Sequence, residues 1–248
     1  MVPNICTASG DRCLTVVMPC YNEIGTIAEI INSVLNSPFV GELFVIDDGS
    51  SDGTQEVLRD LNYDRLQVIF QPKNQGKGAA IRKGFAHASM PFVIVQDADL
   101  EYDPQEYGLM IQPLLDGHAD VVYGSRFISN RPHRVLYYWH SLGNRFLTTL
   151  SNMTSNLNLS DMETCYKAFR LEVLRSFTLS ENRFGIEPEL TARVSAGKWR
   201  VYEVGISYHG RSYEDGKKIG WKDGISAIRS ILKYAFIAKR DLRKATDG

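Results

Sequence analysis

Five short apolar runs punctuate the first half of the chain: LTVVMP (14–19), ELFVID (42–47), LQVIF (66–70), FVIVQD (92–97) and DVVYG (120–124). They are rich in Val and Ile and largely lack polar alternation. Such runs predict strands buried on both faces, as in a parallel sheet. Helical patterns fill the intervals at about 25–37, 53–61, 76–89 and 104–115. Ser51 and Asp52 precede the second of these, and Asp103-Pro104 opens the fourth with proline at the first helical position. Repeated β-then-α units imply right-handed crossovers and an α/β, doubly wound sheet. Its ligand crevice is expected at the carboxyl ends of the strands.

The pattern changes after Arg126. A loop and then a helix are predicted over about 139–156, with further strands at 165–170 and 201–208, a helix near 187–195 between them, and a last periodic segment over 223–240. No internal repeat, low-complexity tract or Pro/Gly/Ser linker divides the chain. The expected organisation is a tail (1–13), one domain (14–222), and a basic amphipathic helix with its own tail (223–248).

Composition adds exclusions. With 248 residues, 44% hydrophobic and 23% charged, the chain is neither disordered nor collagen-like nor a disulfide scaffold. No apolar run approaches the roughly 18 residues of a membrane span. Residues 1–13 include Asp11 and Arg12 but no apolar core, so no secretory leader is expected. Cys6, Cys13, Cys20 and Cys165 lack CxxC and zinc-ligand spacing, which suits reduced thiols in a cytoplasmic setting. The net charge of −1 hides an asymmetry: nine basic and three acidic residues lie between Lys217 and Gly248, leaving an acidic body. Either an anionic partner or a solvated helix with basic residues near its C-terminus accounts for that end.

Polar residues of one kind collect after four successive strands: PCYNE (19–23), DDGSSDGT (47–54), PKNQGKGAA (72–80) and QDADLEYDP (96–104). The Asp97-Ala98-Asp99 triplet is the sharpest local feature. Two carboxylates so close repel unless a cation binds one or both. Oxygen ligands select a hard ion, Mg²⁺ or Mn²⁺, which keeps waters and takes its remaining oxygens from a diphosphate. Glu101, two residues on, can reach the same ion.

VVMPCYNE, VIDDGSSDGT, NQGKGAAIRKGF, QDADLEYDP, GSRF, DMETCYKAFR and YHGRSYEDGKKIGW, in this order and spacing, resemble family 2 nucleotide-sugar-dependent glycosyltransferases, with the greatest similarity to dolichol- or polyprenyl-phosphate mannose synthase-like enzymes. The resemblance covers about Leu14 to Lys233. It implies a GT-A (Rossmann-like) fold with helices on both faces of a mostly parallel sheet, a nucleotide-sugar donor, a divalent metal, and inversion at the anomeric carbon. Carried over by position, Pro19, Tyr21 and Glu23 match residues that hold the nucleoside, Asp48 the aspartate that contacts the base, and Ile46 a neighbour of the ring. Asp97 and Ala98 would line the nucleotide, and Asp97, Asp99 and Glu101 would serve the metal. Arg126, Arg211 and Lys217 match basic positions around the phosphates. This chain reads EDGKK where the family often has GESK, so Lys217 and Lys218 both remain candidates.

Glycosyl transfer builds negative charge on the departing nucleoside diphosphate, which a metal at Asp99 and a cation such as Arg126 would stabilise. The acceptor decides the subfamily. A sugar hydroxyl needs a carboxylate base, whereas a phosphate monoester is already anionic near neutrality. Arg211, Lys217 and Lys218 suit a lipid phosphate, whereas Glu187 and Glu189 in GIEPEL keep a saccharide acceptor open. A nucleotidyltransferase should open with a Gly/Arg-rich triphosphate loop where this chain has PCYNE. A lipid acceptor implies work at a membrane surface. Ile225, Ile228, Ile231, Leu232, Ala235 and Phe236 fall in one helical sector, with Lys222, Arg229, Lys233 and Arg240 on its flank. That helix suits either an anionic surface, as a peripheral element on the cytoplasmic face of a membrane, or the protein core. Tyr137, Tyr138 and Trp139, beside Arg131, His133 and Arg134, form a second candidate contact or an acceptor lid. No nucleic-acid partner is expected.

Overall fold

A computed structural model describes residues 12–128, 135, 137–210 and 221–246. Seven strands form one sheet: β1 (Leu14–Cys20), β2 (Val40–Asp47), β3 (Leu66–Phe70), β4 (Phe92–Val95), β5 (Val121–Ser125), β6 (Lys167–Arg170) and β7 (Val201–Gly205). The order is β3-β2-β1-β4-β6-β5-β7. β1 is central, with parallel neighbours on both edges, and all seven of its residues are buried. That environment explains why its sequence carries no alternation.

The first half of the chain follows the predicted units. Helices α1 (Ile27–Leu35), α2 (Thr54–Asp60), α3 (Lys77–His87) and α4 (Tyr107–Leu115) connect the early strands, and a short 3₁₀ turn at Pro104–Glu106 precedes α4. Asp103 caps that turn by accepting from the Gln105 N–H, as the Asp-Pro signal implied. β4 stops at Val95 rather than running to Asp97. Its last neighbour, Gln96, accepts from the Tyr107 hydroxyl at 3.0 Å and donates to the Tyr102 carbonyl, which turns the following triplet out of the sheet.

The second half departs from simple winding. β6 inserts between β4 and β5 and runs antiparallel to both. A five-residue helix, α6 (Leu171–Arg175), follows it directly. α5 (Tyr138–Ser155), α7 (Ile186–Ala196) and α8 (Trp221–Thr246) pack on one another. α8 begins earlier and ends later than its apolar period suggested. Ala227, Ser230, Ile231 and Tyr234 are buried on its inner side, so Ile231 belongs to the core, while Leu232 and Phe236 remain exposed. The single apolar sector expected of this helix is therefore split between two environments. The side chains of Lys222 and Ile225 lie outside the described residues.

Candidate active site

The carboxyl ends of β1, β2 and β4 meet beside the point where strand order reverses, between β1 and β4. A cavity of about 370 Å³ opens there. Its wall includes Pro19, Tyr21, Glu23, Asp48, Asp97, Ala98, Asp99 and Glu101, so eight residues expected from the sequence converge on one crevice. Lys77, Arg183, Phe184 and Tyr208 also line it and were not assigned in advance.

Local backbone chemistry builds this wall. Asn22 adopts a left-handed φ of 54° and receives the Ser51 N–H on its side-chain oxygen. Its own N–H goes to the Ser50 hydroxyl, and the Glu23 N–H goes to the Thr54 hydroxyl at 2.9 Å. The DDGSSDGT segment thus stitches the loop after β1 to the loop after β2. Asp52 contributes by receiving Ile24 and Thr54 N–H groups. Burial works against its charge, but the Thr54 hydroxyl, which donates at 2.6 Å, and then these N–H groups hold its carboxyl below the ordinary range.

Asp48 is 3% exposed and accepts three N–H groups: from the Gln71 side chain at 2.9 Å, the Gln75 backbone at 2.7 Å and the Gly76 backbone at 2.7 Å. Its carboxylate fastens the 71–76 loop to the end of β2 while facing the cavity. Two neighbouring candidates are not among the residues that line the cavity. Ile46 is fully buried in a small cluster with Phe44 and Ala80, of which only Ala80 also lines the cavity. Arg126 does not line the cavity: Asp161, fully buried, binds its Nε at 2.6 Å and its Nη2 at 2.8 Å. The guanidinium lies 5.2 Å from the centre of the Tyr208 ring, so it supports the wall from behind. Burial opposes its charge, yet the Asp161 carboxylate raises its pKa well above the ordinary value. Arg211, Lys217 and Lys218 lie outside the described residues, as do Arg131, His133 and Arg134.

The three acidic candidates have distinct partners. Asp97 receives the Lys77 ammonium at 2.7 Å and the Cys165 thiol at 3.1 Å. Burial penalises the Lys77 charge, but the carboxylate more than offsets this and raises the ammonium's pKa well above its usual range. Asp99 accepts the Glu101 N–H at 3.0 Å, and Glu101 accepts the Tyr208 hydroxyl at 2.8 Å. No group of three or more His, Cys, Asp or Glu side chains forms a preassembled cation cage among the described residues. The donor set nevertheless fits Mg²⁺ or Mn²⁺, since such ions take one or two carboxylates and complete their shell with water and phosphate oxygens.

Lys77, Arg183 and Phe184 reach the cavity through one clamp. The Ala79 N–H binds the Asn182 carbonyl at 3.0 Å, and Arg82 binds the Glu181 carbonyl and the Asn182 side chain. Glu189, fully buried, accepts the N–H groups of Ser180 and Glu181 and the Ser180 hydroxyl. Lys77 stood in the quoted NQGKG motif, where a lysine between glycines at a helix start was its only signal. Arg183 and Phe184 carried none, because a contact spanning a hundred residues joins them to α3.

Glu187 is bound by the Lys167 ammonium. Next to this pair, Glu163 has one buried carboxylate oxygen without a hydrogen-bond partner. Burial first, and then repulsion by Glu187, push its pKa up to about 7 against the pull of Lys167 and Arg126.

Residues 15–178 match the family model described as glycosyl transferase family 2. The chain is similar to glycosyltransferase AglJ of Haloferax volcanii, with 32% identity over 197 residues that cover 79% of this chain and 63% of that protein. It is also similar to the polyprenol monophosphomannose synthase of Mycolicibacterium smegmatis, 27% identical over 214 residues, or 83% of this chain and 80% of that one. Among solved structures, the glucosyl-3-phosphoglycerate synthase of Mycobacterium tuberculosis, in complex with Mn²⁺, UDP and glucosyl-3-phosphoglycerate, superposes with a TM-score of 0.70 at 21% identity, covering 90% of this chain and 80% of that one. The fold is accordingly GT-A.

Proposed function

From the premise that the chain belongs to glycosyl transferase family 2, we propose that it moves a hexose, with inversion, from a nucleotide sugar of the GDP-mannose or UDP-glucose type to a polyprenyl or dolichyl phosphate. The chain spans 63% of the length of its relative AglJ, so this reading concerns the transfer step these residues carry. The polyprenol monophosphomannose synthase similarity supports the acceptor class. The observation that carries the reading is the state of the two carboxylates expected to serve a hydroxyl acceptor. Glu189 holds the 180–181 backbone and pairs with Arg193, and Glu187 is bound by Lys167. Both already have partners, which suits an acceptor that arrives as an anion and needs no base.

In this reading Tyr21, Glu23 and Asp48 line the nucleoside end of the cavity, while Asp97, Asp99 and Glu101 face the diphosphate. A divalent cation bound at these carboxylates would supply charge neutralisation for the leaving group. Lys77 is held by Asp97 at the first turn of α3 and, together with Arg183, puts positive charge on the same wall. Arg126 acts through Tyr208, orienting the ring whose hydroxyl holds Glu101. Arg211, Lys217 and Lys218 are proposed for the acceptor phosphate.

Glu163 favours a second reading. A carboxyl with a pKa near 7 has the proton affinity of a general base, as a saccharide acceptor would require. The deciding experiment offers a panel of sugar nucleotides with a polyprenyl phosphate or with simple saccharides, to wild type and to Glu163→Gln and Glu187→Gln variants. Lipid-phosphate transfer within about tenfold of wild type in both variants supports the proposal. Transfer only to saccharides, lost in either variant, replaces it with the second reading.

A further inference from the structure

The outer side of α5 carries large apolar side chains that are exposed among the described residues. Trp139 is 77% exposed, Leu142 45%, Phe146 58% and Met153 78%. At about 100° per residue these four fall within a sector of about 60°, opposite the buried Thr148 and Ser151. The stripe runs about 21 Å along the helix. Tyr137 and Tyr138, both exposed, extend it at the N-terminal end, as does Val135 before them. Isolated exposed apolar residues are ordinary, but an ordered row on one face marks a contact surface.

From this row we infer that the outer face of α5 is a docking surface for an anionic phospholipid bilayer. Three features select that occupant. The sequence of α5 contains Arg145 and His140 but no Asp or Glu, so nothing on it repels an anionic surface. On α8, which packs beside α5, exposed Arg229 and Arg240 accompany exposed Leu232 and Phe236. Trp and Tyr gather at one end of the stripe, as at the headgroup level of membranes. A second copy of the chain fits less well. A face about 21 Å long and 10 Å wide offers on the order of 200 Å² per protomer, against about 800 Å² in a stable interface. The helix lies in the interface rather than crossing it, since no described helix is long and apolar enough to span a bilayer.

The surface is joined to the cavity. Asn144, on the opposite, inner side of α5, accepts from Arg126 at 3.2 Å, and Arg126 lies against Tyr208 of the cavity wall. A bilayer on the outer side of α5 would therefore have this one helix and Arg126 between it and the cavity wall. This inference rests on the lipid-phosphate reading for its purpose but not for its test.

The experiment is flotation of the full chain with vesicles of phosphatidylglycerol and phosphatidylcholine, and separately with phosphatidylcholine alone, with brominated lipid added to quench tryptophan. Wild type should bind the anionic vesicles, and quenching should fall in Trp139→Phe. Phe146→Glu with Leu142→Glu should lower vesicle partitioning at least about tenfold. Phe146→Ser with Met153→Ser gives a milder loss and guards against misfolding in the charged variant. In the same preparations, transfer to a short-chain, water-soluble prenyl phosphate should be unchanged. Absence of binding, equal binding by the charged variant, or a wild-type dimer that Phe146→Glu dissociates would overturn the docking surface. Failure to use any prenyl phosphate, with vesicle binding intact, would instead overturn the acceptor reading alone.

Discussion

Asp161 and Arg126 form a buried charge pair next to the cavity wall. The arginine was expected at the diphosphate; its guanidinium is held by a fully buried carboxylate and lies against the Tyr208 ring. Burial opposes the charge of Asp161, but Arg126 draws its pKa below the ordinary value. The stabilisation is therefore present above the unfolded carboxylate range and is lost as pH falls through the lower folded value. Removing one partner of such a pair leaves the other charged and desolvated. Asp161→Asn should cost about 3–5 kcal/mol, read in a denaturant titration at neutral pH, and should shrink near pH 3. Glu163 has the opposite sign. Its folded pKa of about 7 lies above the ordinary glutamate value of about 4.5, so ionisation penalises the fold, with no penalty at acid pH and growing cost as pH rises toward 7. Glu163→Gln should stabilise the protein by up to about 3 kcal/mol at pH 8 and hardly at all at pH 4, as thermal melts at the two pH values would show. Neither behaviour was legible in the sequence, because both depend on neighbours brought in from other elements. Asp48 was legible in position, at the end of a buried strand, but its three N–H partners come from a loop whose return path no local pattern encodes.

Among the elements, the early strands and helices were readable since each strand is buried on both faces and each helix starts at a recognisable turn. β6 was read as a strand, but its direction was not. A four-residue segment carries no signal for antiparallel insertion between β4 and β5, and α6 is too short to show a period. The loop over 180–184 was equally silent, yet it delivers Arg183 and Phe184 to the cavity. Its seat is the start of α3. A Cβ at Gly78 would meet the Glu181 carbonyl at 2.5 Å and the Arg183 carbonyl at 3.0 Å, and these are backbone atoms that cannot swing aside. Gly78→Ala should therefore displace the loop. Nucleotide affinity measured by calorimetry should fall several-fold, while the melting temperature drops modestly; unchanged affinity would mean that the loop does not shape the site. Serine at 78 should behave like alanine, since the clash is with Cβ itself.

For the whole molecule, the sheet order matters more than any motif. Because β1 has β2 on one side and β4 on the other, the loops after these three strands diverge from a common crevice, and PCYNE, DDGS and DAD face one another although roughly 25 to 75 residues separate them in sequence. The crevice concentrates Glu23, Asp97, Asp99 and Glu101 around a single cavity, a surplus of negative charge unsuited to an anionic nucleotide unless a cation intervenes. Asp97 and Asp99 should then separate under mutation. Asp99→Asn, which keeps an oxygen to receive the Glu101 N–H, should leave the melting temperature within a degree or two while abolishing Mg²⁺- or Mn²⁺-dependent nucleotide binding. Asp97→Asn should lose binding and also stability, because it leaves the Lys77 ammonium without its carboxylate. Chelation of divalent ions should reproduce the binding loss of Asp99→Asn in wild type and add nothing to that variant. Nucleotide binding that is equally tight with and without divalent ions, in wild type and in Asp99→Asn alike, would remove the cation from the site and leave Lys77 and Arg183 to balance the diphosphate.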